Sequence, residues 1–522
     1  MCIRDRYIHQ KDESTVSLRV PVAVAVVKLL RLLPKGEFEQ RLPGVLMDIC
    51  HILRSRAPES RDMTRKTLAD IMALIGPAYF GFVLKELRTA LQRGYQLHVL
   101  SYTVHSLILA MSPTLELGEL DYALDQIAAI IMDDIFGITG QEKDAEEYTN
   151  KMKEIKSSKS YDTMELVAQH TNLRSLSALI SPIRALLQEK VSLKMVKKID
   201  ELLRRLGVGV LHNPAVNSRD LLIFCYEVVR DVYRYSNEPA TEAKKDDYRT
   251  SKYLIIMKGA NKTANRGTTT SYLHKLTRFA FDVLRTVLKK YDNLQTKENL
   301  EGWMKAIGDA VVEGQEEVQV SAMRLVSTII RVKMEELDRH APVYIDQGVR
   351  VIEGATSTNA EAAQAALKMV SAILRERKNI DVKEKHIARL LRKLKPDLEE
   401  PERQGVTFDF LRAVMSRKIE APELYDIIDT IAKIMVTNQT RSARILARGI
   451  YVHFLIEYRQ SQKRFRQQRD FLKDNLTYKY VEGRQSVMEA LDLLMSKVGD
   501  ELAQDIAKVT YCLLYTSPSP RD

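Results

Sequence analysis

Cysteine is scarce in this chain of 522 residues: there are four, and two of them, Cys2 and Cys512, sit in short terminal stretches unlike the rest. The other two, Cys50 and Cys225, stand far apart with no CxxC spacing and no histidine beside them. That excludes a disulfide framework or a zinc site and points to a reducing compartment. Glycine (21) and proline (15) both fall below ordinary usage for this length. Leu, Ile, Ala, Lys, Glu and Arg dominate instead, the mix of straight-chain helix formers, so the chain is expected to be almost entirely helical. Long apolar runs are missing too. The nearest, Pro21–Leu33, is interrupted by Lys28 and Arg31, well short of a bilayer span.

The signatures of catalysis are also absent: no His-Glu-x-x-His, no Gly-x-Ser-x-Gly and no kinase motif occurs. Gly207-Val208-Gly209 begins like a dinucleotide loop, but the third glycine is lacking and no strand precedes it, so it reads as a helix terminator. Gly259-Ala260-Asn261-Lys262-Thr263 fails the order of a phosphate loop and reads as a flexible tip, with Lys252, Lys258, Lys262 and Arg266 in reach of phosphate. His98 and His105 share a helix face, but their apolar neighbours Leu97, Val99, Leu100 and Val104 mark packed or capping side chains, and no metal ligand set is expected. No catalytic residue, cofactor or small-molecule substrate is expected.

What is present is 45% hydrophobic and 29% charged residues, enough for a core, in a chain too long for one compact core. Lys plus Arg (80) exceeds Asp plus Glu (69), and the net charge of +11 suits a polyanion such as nucleic acid but equally describes an ordinary basic surface, since no motif accompanies it. Apolar stretches at helical spacing follow one another, separated by short breaks. Val16–Leu33 is expected as one helix, Pro43 as the start of the next, Ser60 or Asp62 as a cap, and Gly76-Pro77 as a stop. Helical repeats are expected over 7–136, 161–235 and 271–511, a charged flexible loop over 137–160, and a polar basic loop over 236–270 that holds a short helix near Tyr248–Met257.

The second half repeats itself. Leu325-Val326-Ser327-Thr328-Ile329-Ile330-Arg331 is echoed 44 residues on by Met369-Val370-Ser371-Ala372-Ile373-Leu374-Arg375, with weaker echoes near Phe410 and Ile450 at offsets of 41 and 40. Spacings of about 40–47 residues with two helices per unit belong to HEAT or armadillo arrays. The expected fold is therefore an all-α, HEAT/armadillo-like α-solenoid of stacked helical hairpins, with an irregular helical bundle as the competing architecture.

The richest candidate surface is Tyr458–Arg484, where Arg459, Lys463, Arg464, Arg466, Arg469, Lys473, Lys479 and Arg484 alternate with Phe465, Phe471, Tyr478 and Tyr480. Cations of this kind meet phosphates while rings stack on unpaired bases. The same pattern also describes an exposed helix whose rings point into the stack. Lys151, Lys153, Lys156 and Lys159, around Ser157-Ser158, form a second candidate contact for RNA or a partner protein.

Three stretches have an unusual order: Gly76–Arg88, Arg93–His105 and Asp133–Gly137, with Lys151–Asp162 completing the set. They resemble the family of small-subunit processome component 20, also called the down-regulated-in-metastasis family, most closely over 42–187. The resemblance implies a nucleolar, non-catalytic α-solenoid scaffold that holds pre-ribosomal RNA and other processome proteins during processing toward 18S rRNA. Arg93, Tyr95 and His98 are positions of this resemblance without an assigned role. Two other readings compete: a nuclear transport receptor-like solenoid that wraps protein cargo, against which the positive charge counts, and the helical arm of a large kinase. Met1–Arg6 and Cys512–Asp522 resemble in-frame sequencing-library adapters, so Tyr7–Tyr511 is expected to be an internal piece of a longer protein.

Overall fold

A computed structural model describes residues 15–144, 152–156, 158–189, 191–237, 272–497, 503–504 and 507–508. No strand occurs among them. The chain divides into two compact units, Met1–Leu294 and Gln295–Asp522.

The longer helices of the first unit are α1 Val22–Leu30, α2 Lys35–Ile52, α3 Pro58–Ile75, α4 Phe80–Ala90, α5 Tyr95–Met111, α6 Leu124–Phe136, α7 Lys159–His170, α8 Ser177–Gln188, α9 Leu193–His212, α10 Arg219–Asn237 and α11 His274–Lys290. Every second helix packs on the next but one. In one layer α3, α5, α7, α9 and α11 follow in file, and in the other α2, α4, α6 and α8. In the second unit come α12 Met304–Glu313, α13 Glu316–Ile329, α14 Glu335–Gly354, α15 Glu361–Glu376, α16 Glu384–Leu394, α17 Pro401–Ser416, α18 Pro422–Thr437, α19 Arg441–Glu457, α20 Gln462–Asp474 and α21 Val481–Met495. Here α13, α15, α17, α19 and α21 form one file and α12, α14, α16 and α18 the other. Both units are therefore all-α solenoids of stacked hairpins. Each helix covers the apolar face its predecessor leaves open.

Position in the stack decides how much of a helix is buried. The middle helix α15 buries Ala362, Ala363, Ala365, Ala366, Leu367, Met369, Val370, Ala372, Ile373 and Leu374, nearly its whole girth, whereas α20 buries only Gln468 and Leu472. A fully buried Leu or Ile contributes about 1.5–3 kcal/mol, so stability concentrates in the middle of the file.

The sequence repeat falls on α13, α15, α17 and α19, successive members of one file. A second regularity accompanies it. Helices α15, α17, α19 and α21 start 40 residues apart, and the fourth residue of each reaches back to a loop carbonyl six residues upstream. Gln364 donates to Thr358 O (2.8 Å), Gln404 to Leu398 O (2.6 Å), Arg444 to Asn438 O (2.8 Å) and Arg484 to Tyr478 O (2.8 Å). At the other end of the hairpins, Arg377 donates to Ile330 O (3.1 Å) and Val332 O, and Arg417 to Arg377 O (3.1 Å), Lys378 O (2.9 Å) and Ile380 O. These side chains satisfy carbonyls that helix ends leave open and tie each repeat to the one before.

Several local expectations are corrected. Val16–Leu33 is not one helix: a turn at Val20-Pro21 separates Val16–Arg19 from α1. Pro43 does not start a helix but lies inside α2, and α3 begins at Pro58 behind Ala57 rather than at Ser60 or Asp62. Gly76 does end α3, at φ 82°. Gly207 and Gly209 lie within α9, which runs on to His212. The loop expected over 137–160 contains the helices Ile138–Asp144 and Lys153–Lys156 and the first residues of α7. The loop over 236–270, with its short helix and its Lys252, Lys258, Lys262 and Arg266, lies almost wholly outside the described residues, and its first two residues end α10. Cys50 and Cys225 are buried in α2 and α10 as free thiols, and burial pushes both up in pKa. No single described helix is long and apolar enough to cross a membrane.

Candidate nucleic-acid interface

The helix α20 closes the last described hairpins of the second unit. Its N-cap Ser461 accepts the Arg464 backbone N–H (3.2 Å), which starts the helix where the basic run begins. The eight cations of Tyr458–Arg484 then separate into two groups.

Three of them are engaged within the chain. Arg464 turns inward, donating to Tyr425 O (2.7 Å) and Asp429 Oδ1 (3.1 Å), with its guanidinium 4.9 Å from the centre of the Tyr425 ring. The same Asp429 oxygen accepts from Gln468 Nε2 (2.9 Å), and Gln468 Oε1 accepts from the fully buried Tyr451 hydroxyl (2.9 Å). Burial raises the Tyr451 pKa, which keeps that hydroxyl a donor. Arg484 is the last of the reach-back residues described above, and Arg469 pairs with its neighbour Asp470 (3.2 Å).

The other five face outward. Arg459, Lys463, Arg466, Lys473 and Lys479 are exposed and have no ion-pair partner among the described residues. Lys463, Arg466 and Lys473 share one side of α20, where Asp470 and Asp474 interrupt them. Of the rings, Phe465, Phe471 and Tyr478 are half-buried, and only Tyr480 is open, at 56% exposure, edge-on to Tyr478 at 5.9 Å and with Lys479 Nζ 5.3 Å from its centre. A strand of nucleic acid laid on this side would meet phosphate contacts and one stacking platform.

The second candidate stretch sits on the first unit. Lys151 lies outside the described residues, and the backbone of Lys156 belongs to the helix Lys153–Lys156. Lys153 is exposed beside Asp62 (4.0 Å) and the Tyr102 ring, and Lys159 is paired with Asp162 (2.9 Å).

The residue that pins this stretch escaped the sequence reading. Glu154, 3% exposed, accepts from Arg61 Nε (3.0 Å) and from an Arg65 terminal nitrogen (2.8 Å). Arg61 also donates to Ser55 O (3.2 Å) and Arg56 O (2.9 Å), and the Arg65 guanidinium lies 4.4 Å from the centre of the Tyr102 ring. Burial alone would push the Glu154 carboxyl up, but the two arginines outweigh it and hold the pKa down to about 2. Nearby, buried Asp134 accepts from Ser101 (2.9 Å), Ser160 (2.7 Å) and Lys143 (2.9 Å). The histidines go to separate partners: His98 Nε2 lies 3.0 Å from Glu142 Oε2, and His105 Nδ1 lies 3.2 Å from Thr163 Oγ1. Tyr95 donates to Arg54 O, and Tyr122 bridges Pro77 O (2.6 Å) and the Gly81 N–H (2.9 Å). The unusual words of the sequence are thus largely joints of the stack.

Residues 9–229 match the family model of the U3 small nucleolar RNA-associated protein 20 domain. Over 501 residues the chain is 42% identical to U3 small nucleolar RNA-associated protein 20 of Schizosaccharomyces pombe, covering 96% of this chain. Over 513 residues it is 37% identical to the Saccharomyces cerevisiae protein of the same name, covering 97% of this chain. The chain spans 20% of the length of each of these relatives. Among solved structures, Kap121p bound to Nup53p overlaps 99% of this chain and 51% of its own at 12% identity and a TM-score of 0.48. By sequence, residues 9–229 carry the match to the U3 small nucleolar RNA-associated protein 20 family, and similarity to the two yeast proteins of that name runs along nearly all of the chain.

Proposed function

We propose that this chain acts in ribosome biogenesis as a non-catalytic helical-repeat scaffold. In this reading it supports small-subunit processome assembly and pre-rRNA processing toward 18S rRNA, in the nucleolus. The observation that carries the reading is the identity of 42% and 37%, along nearly the whole chain, to two proteins named for association with the U3 small nucleolar RNA. The outward cations of Arg459–Lys479 agree with a polyanionic partner. Crosslinking of the full-length protein in cells is expected to recover precursor rRNA. Recovery of transport cargo without precursor rRNA would overturn the scaffold reading in favour of a transport receptor.

The surface itself makes a sharper prediction. Replacing Arg459, Lys463, Arg466 and Lys473 with Gln should weaken binding of structured RNA to the purified chain and flatten the dependence of log K on log salt by about 3, from 0.7–0.9 per lost phosphate contact. Arg484→Gln should leave that slope unchanged while destabilising the last hairpin by about 1–2 kcal/mol, because its guanidinium is committed to loop carbonyls. Equal slopes for the quadruple variant and the parent would remove this face from the contact list.

A further inference from the structure

The second unit carries a groove of opposite character between α12 and α14, with a volume of about 470 Å³. Elsewhere in this unit several carboxylates are engaged: Asp338 with Arg377, Asp346 with Lys383, Glu353 with Arg389, Asp397 with Arg403, Glu423 with Arg392, and Glu457 with Lys418. Around the groove, Glu301, Asp309, Glu313 and Glu336 have no ion-pair partner among the described residues. Lys305 and Arg339 reach the same rim, so the lining carries a net charge of −2.

A second observation is independent of the charges. Tyr344, 1% exposed, lines the groove, and its buried hydroxyl has no hydrogen-bond partner among the described residues. Glu336 Oε2 is buried and unpartnered as well. Gly308, on the facing helix, keeps the space above the hydroxyl open: a Cβ there would lie 3.7 Å from it. Buried polar atoms are nearly always satisfied, and here a phenol and, two turns away on the same helix, a carboxylate oxygen are both left open to a donor from outside. An ammonium or guanidinium supplies donors and charge together, while Val312 and Val343, 41% and 48% exposed, offer apolar walls to the methylene stem of Lys or Arg.

We infer that this groove seats a lysine- or arginine-rich segment of a partner protein, its cations meeting the Glu336 carboxylate and, two turns along α14, the Tyr344 hydroxyl. An RNA is disfavoured there because four carboxylates would face its phosphates. The inference does not rest on the RNA face of α20 and fails or survives separately.

The test is fluorescence anisotropy of the purified 522-residue chain with a labelled octalysine peptide, against an octaglutamine control. Asp309→Asn with Glu336→Gln should weaken octalysine binding at least tenfold. Tyr344→Phe, which keeps the ring and its packing, should weaken it about threefold to fivefold with unchanged helical circular dichroism. Asp470→Asn with Asp474→Asn removes two charges from α20 and should leave the affinity within twofold. Octalysine bound no better than octaglutamine, equal losses from the two double variants, or full affinity in both groove variants would overturn the proposal. A fall in RNA affinity in Asp309→Asn with Glu336→Gln would overturn it in favour of a nucleic-acid site.

Discussion

Replacing Glu154 with alanine should cost the first unit about 3–5 kcal/mol, because it strands Arg61, 2% exposed, and leaves Arg65, 5% exposed, only the half-exposed Asp62 (2.6 Å). The cost comes chiefly from leaving the buried Arg61 without a counter-charge, not from the lost attraction itself. Replacing all three together, Arg61→Met, Arg65→Met and Glu154→Leu, should therefore recover most of the stability lost in the single variant. Since a chain of two compact units need not unfold in one step, the readout is amide hydrogen exchange in α3 and α5, not a single midpoint. Protection factors unchanged in Glu154→Ala would mean that these arginines are solvated after all.

The same triad gives a pH dependence with a definite sign. The Glu154 carboxyl is depressed from 4.5 to about 2, so its contribution is fully present above the unfolded value and is lost as pH falls through the folded one. Protection factors in α3 and α5 should fall between about pH 4.5 and pH 2 in the parent, and that loss should be missing from the triple apolar variant. The neutral range should show no change from this group.

The stack was legible in the sequence because helical periodicity and a 40–44-residue spacing are both local signals, and α13, α15, α17 and α19 carry them openly. Polar composition was the misleading guide. The stretch 137–160 looks solvated when read alone, yet Glu154 finds Arg61 93 residues away and Lys198 donates to Gly140 O (3.3 Å) from 58 residues away, pairings that no local window contains. The candidate site was blurred in the same manner. Lys463 and Arg464 are adjacent and chemically alike, but one step around the helix turns Arg464 toward Asp429 and leaves Lys463 in solvent. Arg484 was separable in principle: it occupies the position of Gln364, Gln404 and Arg444 at multiples of 40 residues, which marks a joint and not a contact.

The pair Gly207 and Gly209 shows most clearly how much of the sequence's apparent punctuation is packing. Inside a helix, propensity alone makes the two glycines equivalent, so alanine at either should stiffen it and stabilise it by up to about 1 kcal/mol. The geometry separates them. At Gly207 a Cβ would stand 3.4 Å from Phe279 Cε2 and 3.6 Å from Val283 Cγ2, ordinary contact, so Gly207→Ala should be neutral or stabilising. At Gly209 it would overlap the Glu165 carbonyl oxygen and lie 2.8 Å from Ala168 Cβ, on a neighbouring helix that is held on both sides by its file. A backbone carbonyl cannot swing aside as a flexible side chain does. Gly209→Ala should therefore destabilise the α7–α9 joint by about 1–3 kcal/mol, and Gly209→Val by more. Opposite signs two residues apart, read from hydrogen exchange in α7, are the result that close helix approach requires; stabilisation by both alanines would mean that α7 and α9 are not in contact at that point.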